Sequence, residues 1–102
     1  MRLLLSAFAP ELGPLASHPP EGWEAATVGV GAVTAAAATA RLLMERRPEG
    51  VLFLGTCGRY DGRLGLFEAL WASEAIATSL EELRDEAYRP GIEPVRWAST
   101  LA

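Results

Sequence analysis

Three short apolar runs, each closed off by glycine or proline, constrain this chain more than any other feature. Leu3 to Phe8 is followed by Pro10, Trp23 to Val30 leads into Gly31, and Val51 to Leu54 ends in Gly55-Thr56-Cys57-Gly58. Runs of this length are too short for helices and fit strands covered on both faces. Between the second and third runs, from Ala32 to Arg47, the apolar period becomes helical. Val33, Ala36, Ala37, Ala40, Leu43 and Met44 fall on one stripe, expected to lie flat against a sheet. Arg46 and Arg47 suit the negative end of the helix dipole, and Pro48 stops the helix. Strand, helix, strand with short connections is the βαβ pattern, which predicts parallel pairing and a right-handed crossover. The expected fold class is therefore α/β with a mainly parallel central sheet.

The remaining segments are read in the same way. Pro10 opens a helix with Glu11 in its first turn, where the dipole favours a carboxylate, and His18-Pro19-Pro20 ends it. Leu66 to Tyr88 has helix-favouring composition, but Ser79 and Glu82 form a capping-box pair that starts a separate acidic helix over Leu80 to Ala87. Arg89-Pro90-Gly91 turns the chain, and the alternation of Val95, Trp97, Ser99 and Leu101 predicts a final edge strand. At 102 residues the chain is expected to form a single domain over 1–102.

Several functional classes are excluded by what is missing. All nine basic residues are Arg, so there is no amine for a Schiff base and no phosphate-loop lysine. One Cys and one His supply neither a structural zinc site nor a disulfide, and no cofactor is expected. A formal charge of −4 argues against a nucleic-acid partner. The longest uncharged run, Ala25 to Ala40, is shorter than the roughly 20 residues a membrane span requires. Met1 to Ala9 imitates a signal peptide but is far shorter than the usual 15–30 residues, so a cytoplasmic location is expected.

In open α/β sheets ligands gather beyond the carboxyl ends of strands. Three features lie there. Glu11 follows the first strand, Gly29-Val30-Gly31 opens the alanine-rich helix, and Gly55-Thr56-Cys57-Gly58 follows the third strand. Taken singly, each has an ordinary explanation. Glu11 serves as a helix-start carboxylate. The paired glycines permit tight packing, and Thr34 stands where a dinucleotide fingerprint has its third glycine. Cys57 reads as a small buried residue with no His near it in sequence, His18 as a loop residue, and Glu81, Glu82, Asp85 and Glu86 as a solvated helix face.

Taken in order, the blocks Ser6-Ala7-Phe8-Ala9-Pro10-Glu11, Val28-Gly29-Val30-Gly31-Ala32-Val33-Thr34-Ala35-Ala36 and Leu54-Gly55-Thr56-Cys57-Gly58 resemble the N-terminal half of the nucleoside phosphorylase and nucleosidase superfamily. Members carry a GxGxxxAA strand-to-helix block, then a GSAGG or GTCGA loop about two dozen residues later. A GD(I/V)VV..EA strand follows, of which Phe67 to Ala75 looks like a degraded copy. The resemblance covers most of residues 1–78. It implies an α/β/α sandwich, present here in part, and cleavage of the N-glycosidic bond of a purine-type nucleoside. It also implies that Glu11 positions the attacking water, and that Gly31, Thr56, Cys57, Gly58 and Glu74 contribute to the ligand cradle. Futalosine-type and adenosylhomocysteine-type nucleosides are the nearest substrates in that branch.

The departures sharpen the expectation. Phe53 stands where the phosphorolytic branch grips phosphate with an Arg two residues before the loop glycine, which favours hydrolysis. Arg59 replaces a small residue after Gly58 and partly fills the base site. The family's later half supplies a Met-Glu pair for the ribose hydroxyls and an Asp that protonates the base, and neither motif follows Glu74. The expected partners are therefore a nucleoside or base together with either another copy of the chain or a separately encoded second half. The alternative is a non-catalytic module that binds a base or serves in oligomerisation.

Overall fold

The computed structural model describes residues 1–86 and 96–99. The chain divides into two compact units, Met1–Tyr60 and Asp61–Ala102, each described by itself. The fold is mixed α/β, with a parallel three-stranded sheet in the first unit and a short antiparallel pair in the second.

In the first unit, β1 (Arg2–Ser6) pairs in parallel with both β2 (Trp23–Thr27) and β3 (Val51–Phe53), giving the order β2-β1-β3. The strand-helix-strand segment thus yields parallel strands, but they are not neighbours: β1 lies between them. Leu3, Leu4, Leu5 and Ser6 are all buried. This is why the first run reads as continuously apolar rather than alternating. Leu3 and Leu5 project to one face, where Ala26, Val28 and the helix α1 (Ala32–Arg46) meet them. Pairing continues past the ends of β1: Val28 N–H donates to Ser6 O at 2.9 Å, Gly29 N–H to Ala7 O at 3.0 Å and Leu54 N–H to Leu5 O at 2.8 Å.

Helix α1 sits where the period placed it, but it is rotated. Ala35, Ala38 and Leu42 face the sheet, whereas Val33 and Met44 are 85% and 79% exposed, and Ala36, Ala37, Ala40 and Leu43 are exposed with them. Alanine occurs on every side of this helix, so the apolar pattern has little directional content. Close approach to β1 and β2 is made by Ala35, Ala38 and Leu42. The Arg46 Nε to Glu24 Oε1 ion pair, at 3.2 Å, joins the end of α1 to β2. Arg47 then takes a left-handed conformation (φ 46°), its N–H donating to Leu43 O, before Pro48 prevents continuation.

The segment after β1 is not one helix but two 3-10 turns, Ala9–Glu11 and Gly13–Ala16. Gly13 adopts φ +55°, which breaks the helical path, and the second turn packs against β2. Leu12, between the two turns, is buried.

In the second unit, β4 (Glu74–Ile76) pairs antiparallel with β5 (Arg96–Ala98), and α2 spans Leu80–Leu83. Ser79 is the N-cap, its hydroxyl accepting from Glu82 N–H at 3.2 Å. The strand implied over Phe67 to Ala75 forms only at its end. Phe67 is left-handed (φ 60°), and Gly65 N–H donates to the Glu68 carboxylate at 2.7 Å, so a turn occupies the first part. The final strand contains Trp97 as expected, while Val95, Leu101, Ala87 and the Arg89-Pro90-Gly91 turn lie outside the described residues. At the start of this unit, the Arg63 guanidinium beside Asp61 holds its carboxyl below the usual carboxylate range.

Candidate functional site

The sheet order places the chain reversal at β1 and β3. From β1 the chain moves to one side to form β2, then crosses to the other to form β3. The carboxyl ends of β1 and β3 therefore flank the switch in strand order, the place where such sheets hold ligands. Glu11 and Thr56 meet there. Thr56 N–H donates to Glu11 Oε2 at 3.0 Å, and Thr56 Oγ1 donates to the same oxygen at 3.2 Å. The contact joins residues far apart in sequence, so it fixes one loop against the other.

Each partner is aimed by its own surroundings. Ser6, fully buried at the end of β1, donates its hydroxyl to Phe8 O at 2.9 Å and so directs the chain into the turn carrying Glu11. Gly55 then brings the third-strand loop close. A methyl group at Gly55 would stand 3.4 Å from Phe53 Cε1 and 3.6 Å from Glu11 Oε2. Phe53, 57% exposed, and the Glu11 carboxylate thus both lie close to Gly55. Phe53 was legible in the sequence only as a missing arginine; its placement opposite Leu5 depends on the β1–β3 register.

The other expected site residues are distributed as follows. Cys57 and Gly58 continue the exposed loop after Thr56. The reading of Cys57 as buried is corrected: it is exposed, in the loop that follows the end of β3. Gly31 is the N-cap of α1 beyond the end of β2, with φ +98°. Glu74 belongs to the second unit, where it pairs with Arg96 at 3.1 Å. His18 shares a hydrogen bond with Ser17 at 2.9 Å.

Gly29 is the glycine with the strictest local requirement. Its φ is +91°, and a Cβ would come within 2.6 Å of Thr34 Cγ2. Gly29→Ala is expected to cost about 1–3 kcal/mol through backbone strain and displacement of Thr34. Urea denaturation checks this value, and Gly50→Ala, which meets nothing within 4 Å, serves as the control.

Among the described residues, no group of three His, Cys, Asp or Glu side chains is placed to hold a metal. No helix among them is long and apolar enough to cross a membrane. No family model, no curated protein and no solved structure matches the chain.

Proposed function

We propose that the loops beyond the carboxyl ends of β1 and β3 bind a purine-type nucleoside and that Glu11 positions a water for hydrolysis of its N-glycosidic bond. The observation that carries this reading is the double hydrogen bond from Thr56 to Glu11 Oε2. It immobilises the carboxylate through one oxygen and leaves Oε1 as the acceptor for a water. Among the described residues, Thr56 alone donates to this side chain. In the reaction the C1′–N bond breaks as the sugar gains cationic character. Water oxygen bonds to C1′ and gives its proton to the Glu11 carboxylate, while the departing base takes a proton from solvent. Phe53 in place of a phosphate-binding cation supports water over phosphate as nucleophile. The α/β/α sandwich implied by the resemblance, a cytoplasmic site of action and pairing with a complementary chain belong to the same proposal.

A second reading is favoured by one observation. Among the described residues of the first unit, no further acid accompanies Glu11 at these loops to protonate the leaving base. A module that binds a base without cleaving it needs only the loops. Incubation with inosine, methylthioadenosine and futalosine, with and without phosphate, separates the two. Hydrolysis predicts free base released independently of phosphate, detected by chromatography. A thermal shift with adenine or hypoxanthine and no release leaves the binding module, and neither signal overturns both readings.

A further inference from the structure

Gly55 is glycine for a different reason from Gly29. Its backbone is not left-handed. A Cβ there would meet Phe53 Cε1 at 3.4 Å and Glu11 Oε2 at 3.6 Å, both ordinary contact distances. Neither strain nor collision demands glycine at this position. The missing side chain instead leaves a gap, and apart from chain neighbours its nearest walls are an aromatic ring edge and the candidate carboxylate. The sheet holds Phe53 at this gap. Phe53 is in register with Leu5, so it stands on the face of the sheet that α1 covers. That cover reaches β1 and β2 through Ala35, Ala38 and Leu42 and stops short of β3, where Val51 and Phe53 are exposed.

We propose that Phe53 and Gly55 form the surface that receives the flat ring of the ligand. The base lies against the Phe53 ring, and the absent side chain at position 55 is the clearance that lets it lie there with its sugar at Glu11. This inference rests on the reading of these loops as a site for a purine-type nucleoside. An uncharged heteroaromatic ring suits such a surface, because stacking on a phenyl ring covers apolar area and needs no cation. The role differs in kind from that of Glu11. Glu11 acts on the reacting atoms, whereas Phe53 and Gly55 hold the ligand equally well before and during the reaction. They therefore govern KM and the dissociation constant and leave kcat unaltered.

Calorimetric titration of the full chain with adenine tests the assignment, together with initial rates on methylthioadenosine. Phe53→Ala should weaken adenine binding by about tenfold and raise KM without lowering kcat. Phe53→Tyr, which restores the ring, should recover the affinity, and Phe53→Leu, apolar but not planar, should remain several-fold weaker. Gly55→Ala should weaken binding several-fold and Gly55→Val further, while the melting temperature of Gly55→Ala stays at the wild-type value. Val51→Ala, on the same face of β3 but away from the loop, should leave adenine affinity unchanged. Wild-type affinity in Phe53→Leu or Gly55→Val, or a fall in kcat at constant KM in Phe53→Ala, overturns this assignment; adenine binding by the wild type then still upholds the site. Neither adenine binding nor base release in the wild type overturns the reading of the site, and this assignment with it.

Discussion

Glu11→Gln is expected to lower base release by about 10²–10⁴-fold, the range for a positioned acid–base group, with little change in substrate binding. The amide keeps the size of the carboxylate and presents an oxygen to Thr56 N–H, so the contact between the two loops persists in part. What disappears is the negative charge that orients the water and takes its proton. Because the Glu11–Thr56 contact is solvent-exposed, the stability cost should stay below about 1 kcal/mol. Single-turnover kinetics on the purified variant, alongside its melting curve, separate loss of chemistry from loss of structure. Full activity in Glu11→Gln would remove the carboxylate from the mechanism. An equal fall in activity and stability would assign it to loop anchoring instead.

Leu5→Ala should produce the largest loss of stability. Leu5 is 1% exposed at the middle of the sheet, registered with Ala26 on one side and Phe53 on the other. With Leu3 and Val28 it forms the fully buried apolar cluster under α1. Truncating a buried leucine removes its transfer free energy and leaves a cavity, together costing about 2–5 kcal/mol. In a unit of this size that lowers the melting temperature by more than about 10 °C. The backbone around Leu5 is hydrogen-bonded on both edges and cannot collapse inward to refill the space. Val33→Ala on the exposed face of α1 removes a side chain of similar character and should cost less than about 0.5 kcal/mol. Equal losses at the two positions would contradict the assignment of inner and outer faces.

That assignment also shows where the sequence is informative. The three strands, the limits of α1 and the Ser79 cap were all legible, because each rests on local chemistry: apolar run length, a proline stop, a hydroxyl three residues before an amide. The orientation of α1 was not. Six-position periodicity through alanines gives a stripe, but Ala35, Ala38 and Leu42 form an equally valid one, and only the sheet decides between them. The segment from Phe67 misled for a different reason: a left-handed residue and a carboxylate-capped turn override a strand implied by likeness.

At the candidate site the sequence pointed to two loops and could not join them. Glu11 and Thr56 are brought together by the register of β1 with β3, in which Leu5 stands opposite Phe53. Nothing in either loop encodes that distance. The position of Glu74 in a separate unit likewise reflects tertiary structure that no local motif specifies.

The central place of β1 carries a consequence for how the molecule assembles. Leu3 pairs with Val51, 48 residues further along the chain, so β1 completes its hydrogen bonding only when β3 has appeared. At translation rates of about 5–20 residues per second, one margin of the leucine-rich β1 stays open for roughly 2–10 s. During that interval nascent chains on neighbouring ribosomes present the same vacant backbone groups to each other, so the yield of native protein depends on how far apart they are kept.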